Sequence, residues 1–352
     1  MERRVVWIVA AVAGNLQISI DFMPAFYTRH IGLTFGDAYY FDPGHRLEVE
    51  RQKGRFLREI LGRYGVGDPS GASAYGIHIQ SVDLVMGTQN AEWRCPPDAA
   101  LESWGTPWAN LSPAEIARID PRDAAHHRII DELIAQYREL HHIAPDRADI
   151  QGARAGSMLT HTPYTTAHQL CGEELFMLMM TEPESARTIF EKIWAIYEAI
   201  YARLSEVVGR RPSHLHLGDC SASLLSHELY ERCVLPINRD ITEGFAEMSY
   251  HSCGPSTHLL PAFKRLGAIR NIQLGPGTDM AQAAAGMPRT QMQPLIDPVI
   301  MRGADPESVR EMISGTLDDC EHSPAVTLCV WSLDSATPIE NVEAVYEVAR
   351  QR

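Results

Sequence analysis

Apolar and polar positions change rhythm about a third of the way along this chain. The first hundred or so residues are irregular and rich in aromatics and turn formers. They support one helix over 45–64 and one strand over 75–86. Residues 98–121 carry Pro and Trp and read as loop, with a helix start at Ser112-Pro113-Ala114-Glu115, where Ser caps and Pro occupies the first turn. Beyond that the spacing becomes regular. It predicts a helix over 124–141, a strand over 148–153, helices over 165–180 and 183–208, a strand over 213–218 and a helix over 226–247. A strand ending at His251-Ser252-Cys253 follows, closed by the Gly254-Pro255 break. Then come a helix over 257–266, a strand over 269–274, a helix over 279–285, a strand over 293–296, a helix over 305–317, a strand over 325–331 and a helix over 338–351. Strands alternating with helices form parallel βα units. So many in succession predict an α/β fold, a (β/α)8 TIM barrel, in preference to an open doubly wound sheet. No repeat or low-complexity linker divides the chain, so residues 1–352 read as one domain with an elaborated N-terminal portion over 1–95.

Composition narrows the class. A chain of 352 residues suits a single barrel, and it has no apolar run of about 18 residues, the length a membrane helix needs. Met1 to Arg4, the apolar stretch 5–13 and Gly14 imitate a signal peptide. Polar residues interleaved with Ile18, Ile20, Phe22 and Met23 favour a strand instead, and with it a cytoplasmic protein. A net charge of −14 argues against nucleic-acid binding and favours, if anything, a partner with a basic face. Seven cysteines, at 95, 171, 220, 233, 253, 320 and 329, show no framework spacing and suit a reducing compartment.

Candidate chemistry gathers at predicted strand ends. Residues two apart on a strand point the same way, so His251 and Cys253 project together beside a turn. Cys329, on the last strand, can bring a second thiol. One imidazole and two thiolates with an open fourth position suit a catalytic zinc. In a barrel the C-terminal strand ends carry the active site, and there too fall Asp219, Cys220 and Asp279. Asp219 is the candidate for a carboxylate supporting the ligands or completing the metal's coordination; otherwise it caps the next helix. Cys220 reads as core or as a wall of the site. Gly275-Pro276-Gly277-Thr278 lacks the Lys-Ser/Thr of a phosphate loop. His126-His127, His141-His142, His214 and His216 read as surface or core histidines. Trp93, Trp104, Trp108 and Tyr39-Tyr40 read as packing or as a roof over the mouth.

Several stretches resemble the uroporphyrinogen decarboxylase superfamily, and within it the zinc-dependent methylcobalamin:coenzyme M methyltransferase branch. Gly218-Asp219-Cys220, followed by Leu224-Leu225-Ser226-His227-Glu228-Leu229-Tyr230 and Val234-Leu235-Pro236, is similar to the Gly-Asp, Leu-Ser-Pro-Glu and Leu-Pro signature. Gly152-Ala153-Arg154-Ala155-Gly156 with Leu170-Cys171-Gly172-Glu173-Glu174, Ile296-Asp297-Pro298, and Thr337-Pro338-Ile339-Glu340-Asn341-Val342 match further signatures. The resemblance covers about residues 95–350. It implies a zinc held by His251, Cys253 and a last-strand Cys. The family's position for that Cys is Trp331 here, with Cys329 two residues earlier on the same strand face and Cys320 as the fallback. It further implies methyl transfer between a corrinoid and a thiol or similar acceptor. The chain has no Asp-x-His-x-x-Gly cobalt-ligand motif, so the corrinoid (methylcobalamin) would be external, on a partner corrinoid protein or free. The lesser expectation is a decarboxylase or lyase acting on a carboxylic acid at the same barrel mouth, and a third is a non-catalytic tetrapyrrole or corrinoid binder. The N-terminal portion is expected to close the pocket or to make a homodimer contact.

Overall fold

A computed structural model describes residues 8–13 and 15–352. The start of the signal-like stretch and Gly14 lie outside the described residues. Twelve strands are described: β1 (Ile8–Ala13), β2 (Leu16–Phe22), β3 (Gly76–Ile77), β4 (Glu92–Arg94), β5 (Glu102–Trp104), β6 (Asp149–Ile150), β7 (Ser157–His161), β8 (His214–Gly218), β9 (Glu247–Ser252), β10 (Ile269–Leu274), β11 (Gln291–Pro294) and β12 (Val326–Leu333). Eight form one sheet in the order β1-β2-β12-β11-β10-β9-β8-β7. From β2 to β7 every pairing is parallel, while β1 runs antiparallel to β2. The fold is thus α/β around a parallel sheet that curls into a half-barrel.

The expected closed barrel is corrected in one respect: among the described residues no ladder joins β7 back to β2. The segment that would close it pairs for only two residues, β3 with β6. The reason is local. A strand was expected over 75–86, but Ser81–Thr88 is a helix, and Ser81, Leu84, Val85 and Thr88 are all buried. Those positions have helical spacing, so the apolar run buries more as a helix than as an edge strand. The segment still docks at the seam. Gln151 accepts from Ile79 N–H at 2.7 Å and donates to Ile79 O at 2.8 Å, and Ser81 Oγ lies 2.7 Å from His161 Nδ1.

Helices predicted as single units divide where the backbone demands it. The 165–180 helix breaks at Gly172, whose φ of 75° suits glycine. The 226–247 helix becomes His227–Cys233 and Leu235–Thr242, with Pro236 in the first turn of the second. The long helix Pro183–Val208 matches its expected bounds.

Period-2 alternation sorts each strand into two faces. Outward, Ile18, Ile20, Leu328 and Val330 pack with Leu57, Val342, Val345 and Tyr346 of flanking helices. Leu215, Leu217, Tyr250 and Ile272 join a larger core that includes Ile193, Tyr197 and Phe263. The opposite face is polar: Ser19 and Asp21 on β2, His214 and His216 on β8, His251 on β9, Gln273 on β10, Cys329 and Trp331 on β12. Apolar packing on the helix side leaves this concave face for chemistry.

Candidate metal centre

The site is built where two adjacent parallel strands end. Gly218 of β8 is in register with His251 of β9, and the Asp219 N–H donates to His251 O at 2.6 Å. That bond holds the turn after β8 against β9, so Cys220 arrives beside His251 and Cys253. The ligand atoms of Cys220, His251 and Cys253 lie within 4.8 Å of one another. Two glycines make the approach available. A Cβ on Gly275 would fall 1.9 Å from the Cys253 carbonyl oxygen, and one on Gly254 would fall 2.1 Å from Ser223 Oγ. Ser252 Oγ and Ser256 Oγ pair at 2.7 Å behind the turn.

Electrostatics distinguish the two thiols. Hydrogen bonds from Cys220 and then His251 pull the exposed Cys253 thiol well below its ordinary range, while the bond to Cys253 and burial push Cys220 up. Cys253 therefore ionises first, with Cys220 as its donor. Burial holds His161 and His216 down to about 3, and His78 to about 4. These three imidazoles are neutral at pH 7.

The other expected site residues are placed as follows. Asp219 is fully buried, and its carboxylate accepts from Thr162 Oγ1 at 2.8 Å, Thr165 Oγ1 at 3.0 Å, Tyr230 OH at 3.0 Å and Tyr250 OH at 2.7 Å. Burial raises its pKa even so. It neither caps a helix nor belongs to the group of three. Cys329 faces the same concavity, but it meets the Gln273 amide, Nε2 to Sγ at 3.1 Å. Gln273 in turn bonds His251 Nδ1 through Oε1. Trp331 donates to Ser19 Oγ at 2.9 Å. Cys320 is buried in the larger core at a helix end, with its thiol pushed up to about 12. Asp279 caps the helix Met280–Gly286.

Cys220, expected in the core or as a wall, is the site residue that spacing did not single out. Its signal was its place two residues past a strand end next to the His-x-Cys strand. The Arg-Gln-x-Gly-Arg string of the decarboxylase branch, expected to have no counterpart near the N-terminus, is present as Arg51-Gln52-Lys53-Gly54-Arg55. Here it lies inside the helix Pro43–Leu61, where Arg55 pairs with Glu48 at the surface and Lys53 with Glu50 at 2.7 Å.

Residues 109–352 match the family profile described as Uroporphyrinogen decarboxylase (URO-D). The chain belongs to the uroporphyrinogen decarboxylase family. Within the curated proteins it is similar to the methylated-thiol:coenzyme M methyltransferase of Methanosarcina mazei, at 29% identity over 140 residues. That match covers 39% of this chain and 34% of the relative, so the chain spans about a third of the length of the curated relative it matches. Among solved structures, a methyltransferase from Methanosarcina mazei superposes with a TM-score of 0.64 over 98% of this chain and 94% of that one. At 12% identity that likeness concerns the fold.

The three side chains fit zinc. Tetrahedral ligation at Zn–S of about 2.3 Å sets sulfurs roughly 3.8 Å apart, so atoms already within 4.8 Å need to close by about an ångström. Two soft thiolates and one imidazole favour zinc over magnesium or calcium, which take oxygen ligands.

Proposed function

We propose that this member of the family is a zinc-dependent methyltransferase, moving a methyl group between a corrinoid and a thiol or similar acceptor. The observation that carries the reading is the convergence of Cys220, His251 and Cys253 at the C-terminal ends of neighbouring parallel strands. The partial likeness to a methylated-thiol:coenzyme M methyltransferase supports it. A zinc at these residues would supply Lewis acidity that holds an incoming thiol as thiolate near neutral pH.

The chain's own residues do the rest. Cys253, the first thiol to ionise, and Cys220 provide the anionic ligands, and His251 the neutral one. The uncharged histidines leave the concave wall able to accept a ligand without a like-charge penalty. The β3–β6 pair and the helix Ser81–Thr88 stand at the seam where an eighth parallel strand would complete a TIM-type barrel. The corrinoid arrives from outside, free or on a partner protein, and the exposed Leu224, just past Cys220, offers an apolar rim for it.

Purified protein is expected to carry about one zinc per chain, lost in Cys253→Ser and in Cys220→Ser. With methylcobalamin and a set of small thiols, demethylation should be visible in the corrin spectrum. Full zinc in both variants would sink the site. Zinc binding with no corrin change under any thiol, alongside turnover of a carboxylic acid without corrinoid, would replace methyl transfer by lyase chemistry.

A further inference from the structure

We propose that Asp21, across the concave face from Cys253, is the recognition group for a substrate that carries a protonated amine; that this ligand is the substrate rests on the function proposed above, while its binding at Asp21 does not. Four strand spacings (β2 to β12, β11, β10 and β9) of about 4.8 Å each, along a sheet that curls, set β2 and β9 on opposite flanks of the concavity. Ser19 of β2 pairs with Cys329 of β12, and Asp21 lies two positions further towards the strand end on the same face. Cys253 follows His251 in the same sense at the end of β9. A ligand held at Asp21 therefore extends into the space in front of the thiols.

The surroundings leave this half-buried carboxylate unanswered. Among the described residues nothing donates a hydrogen bond to Asp21, and no ion pair reaches it. The charges that act on it are those of Lys53 and Glu50. These two bond each other at 2.7 Å, and Lys53 Nζ lies 5.1 Å from the Tyr27 ring centroid. Tyr39 and Ser73 donate to the same Glu50 carboxylate. The pair cancels, and one negative charge is left over at Asp21. Burial without a donor is costly for an ionised carboxyl, and it holds the pKa of Asp21 up at about 6. A cation bearing an N–H supplies both the missing charge and the missing donor. The neighbouring strand departs from a regular ladder at this point. Val330 pairs with Ile20 and Leu333 with Phe22, so Trp331 and Ser332 together stand opposite Asp21, and Ser332 takes a φ of 60°. Such a bulge re-aims side chains. Trp331 reaches the β2 side, where its Nε1 donates to Ser19 Oγ at 2.9 Å. A carboxylate next to an indole suits an alkylammonium group, through charge and through the ring quadrupole. A hydroxyl would fill the acceptor and leave the charge; a ligand carboxylate would add a second.

Three probes of one shape separate these ligand classes: tert-butylammonium, tert-butanol and pivalate, each with a methyl singlet for saturation-transfer NMR. The titrations use the full chain as purified, without added corrinoid, at neutral pH and low ionic strength, where charge pairing is least screened. Saturable binding of tert-butylammonium is expected, at least about tenfold tighter than tert-butanol and tighter still than pivalate. Asp21→Asn keeps the side chain's size and should melt no lower than the wild type at neutral pH, yet it should weaken the ammonium about 10–100-fold. Cys253→Ser should bind the ammonium as the wild type does. A chain that holds no zinc and still binds it through Asp21 would refute the metal reading and keep this one. Equal affinity for tert-butanol, wild-type ammonium binding in Asp21→Asn, or a loss in Cys253→Ser as large as that in Asp21→Asn would overturn the proposal. So would pivalate binding that disappears in Lys53→Met, or no saturable binding of the ammonium at all.

Discussion

Single side chains set the site's dimensions, and two of them make sharp predictions. Gly275 has no room for a methyl group because the Cys253 carbonyl occupies that space. Gly275→Ala should force the turn after β9 outward, destabilise by roughly 1–3 kcal/mol and weaken zinc uptake; Gly303→Ala, where a Cβ meets nothing within 4 Å, is the control. Chemical denaturation and zinc titration of both variants check this. Asp21, at the end of β2 on the concave face, has its pKa raised to about 6, chiefly by burial, against the lowering effect of Lys53. A carboxyl raised in the folded state contributes stability that is fully present below its unfolded pKa near 3.8 and is lost as pH rises through about 6. Asp21→Asn should therefore be more stable than the wild type above pH 7, by at most about 3 kcal/mol. The advantage should fade below pH 4 in denaturation curves measured across pH.

Elements meet through Asp219, which is why it is buried. Its four hydroxyl partners come from the start of the helix Pro163–Cys171 (Thr162 and Thr165), from the helix His227–Cys233 (Tyr230) and from β9 (Tyr250). Tyr230 and Tyr250 also bond each other at 2.8 Å, and Asn238 Nδ2 donates to Tyr230 OH. Removing the carboxylate leaves several buried hydroxyls without an acceptor. Asp219→Ala should cost at least about 1–3 kcal/mol and loosen the turn that delivers Cys220. The measurable signature is a fall in melting temperature together with weaker zinc binding; unchanged stability would remove Asp219 from this role. Such a hub was invisible in the sequence, where Gly-Asp-Cys before a helix looks like a cap or a catalytic carboxylate. Its partners lie between 11 and 57 positions away.

Across the whole molecule the weak place is the seam. β8, β9 and β10 are paired on both sides, whereas β3 and β6 hold each other for two residues beside the open edge of β7. Hydrogen exchange should show Ile77 and Ile150 opening well before Leu217, Tyr250 and Ile272, because local stability follows paired neighbours and packed contacts. Equal protection on the two sides would mean the seam is bonded as firmly as the wall that carries the thiols. Among the described residues no helix is long and apolar enough to cross a membrane.

Alternation and turn chemistry are local, so the chain by itself determined the order of its parallel βα units, the long helix Pro183–Val208, and the pairing of His251 with Cys253 on one strand face. Where an apolar run fits either period, as at Ser81–Thr88, only burial against neighbours could decide. The third member of the candidate group was decided by strand register: Gly218 opposite His251 brings Cys220 to His251 and Cys253, while Gln273 stands between His251 and Cys329. Sequence spacing carries no information about distances between residues on different strands, and those distances decide which side chains gather at one strand end.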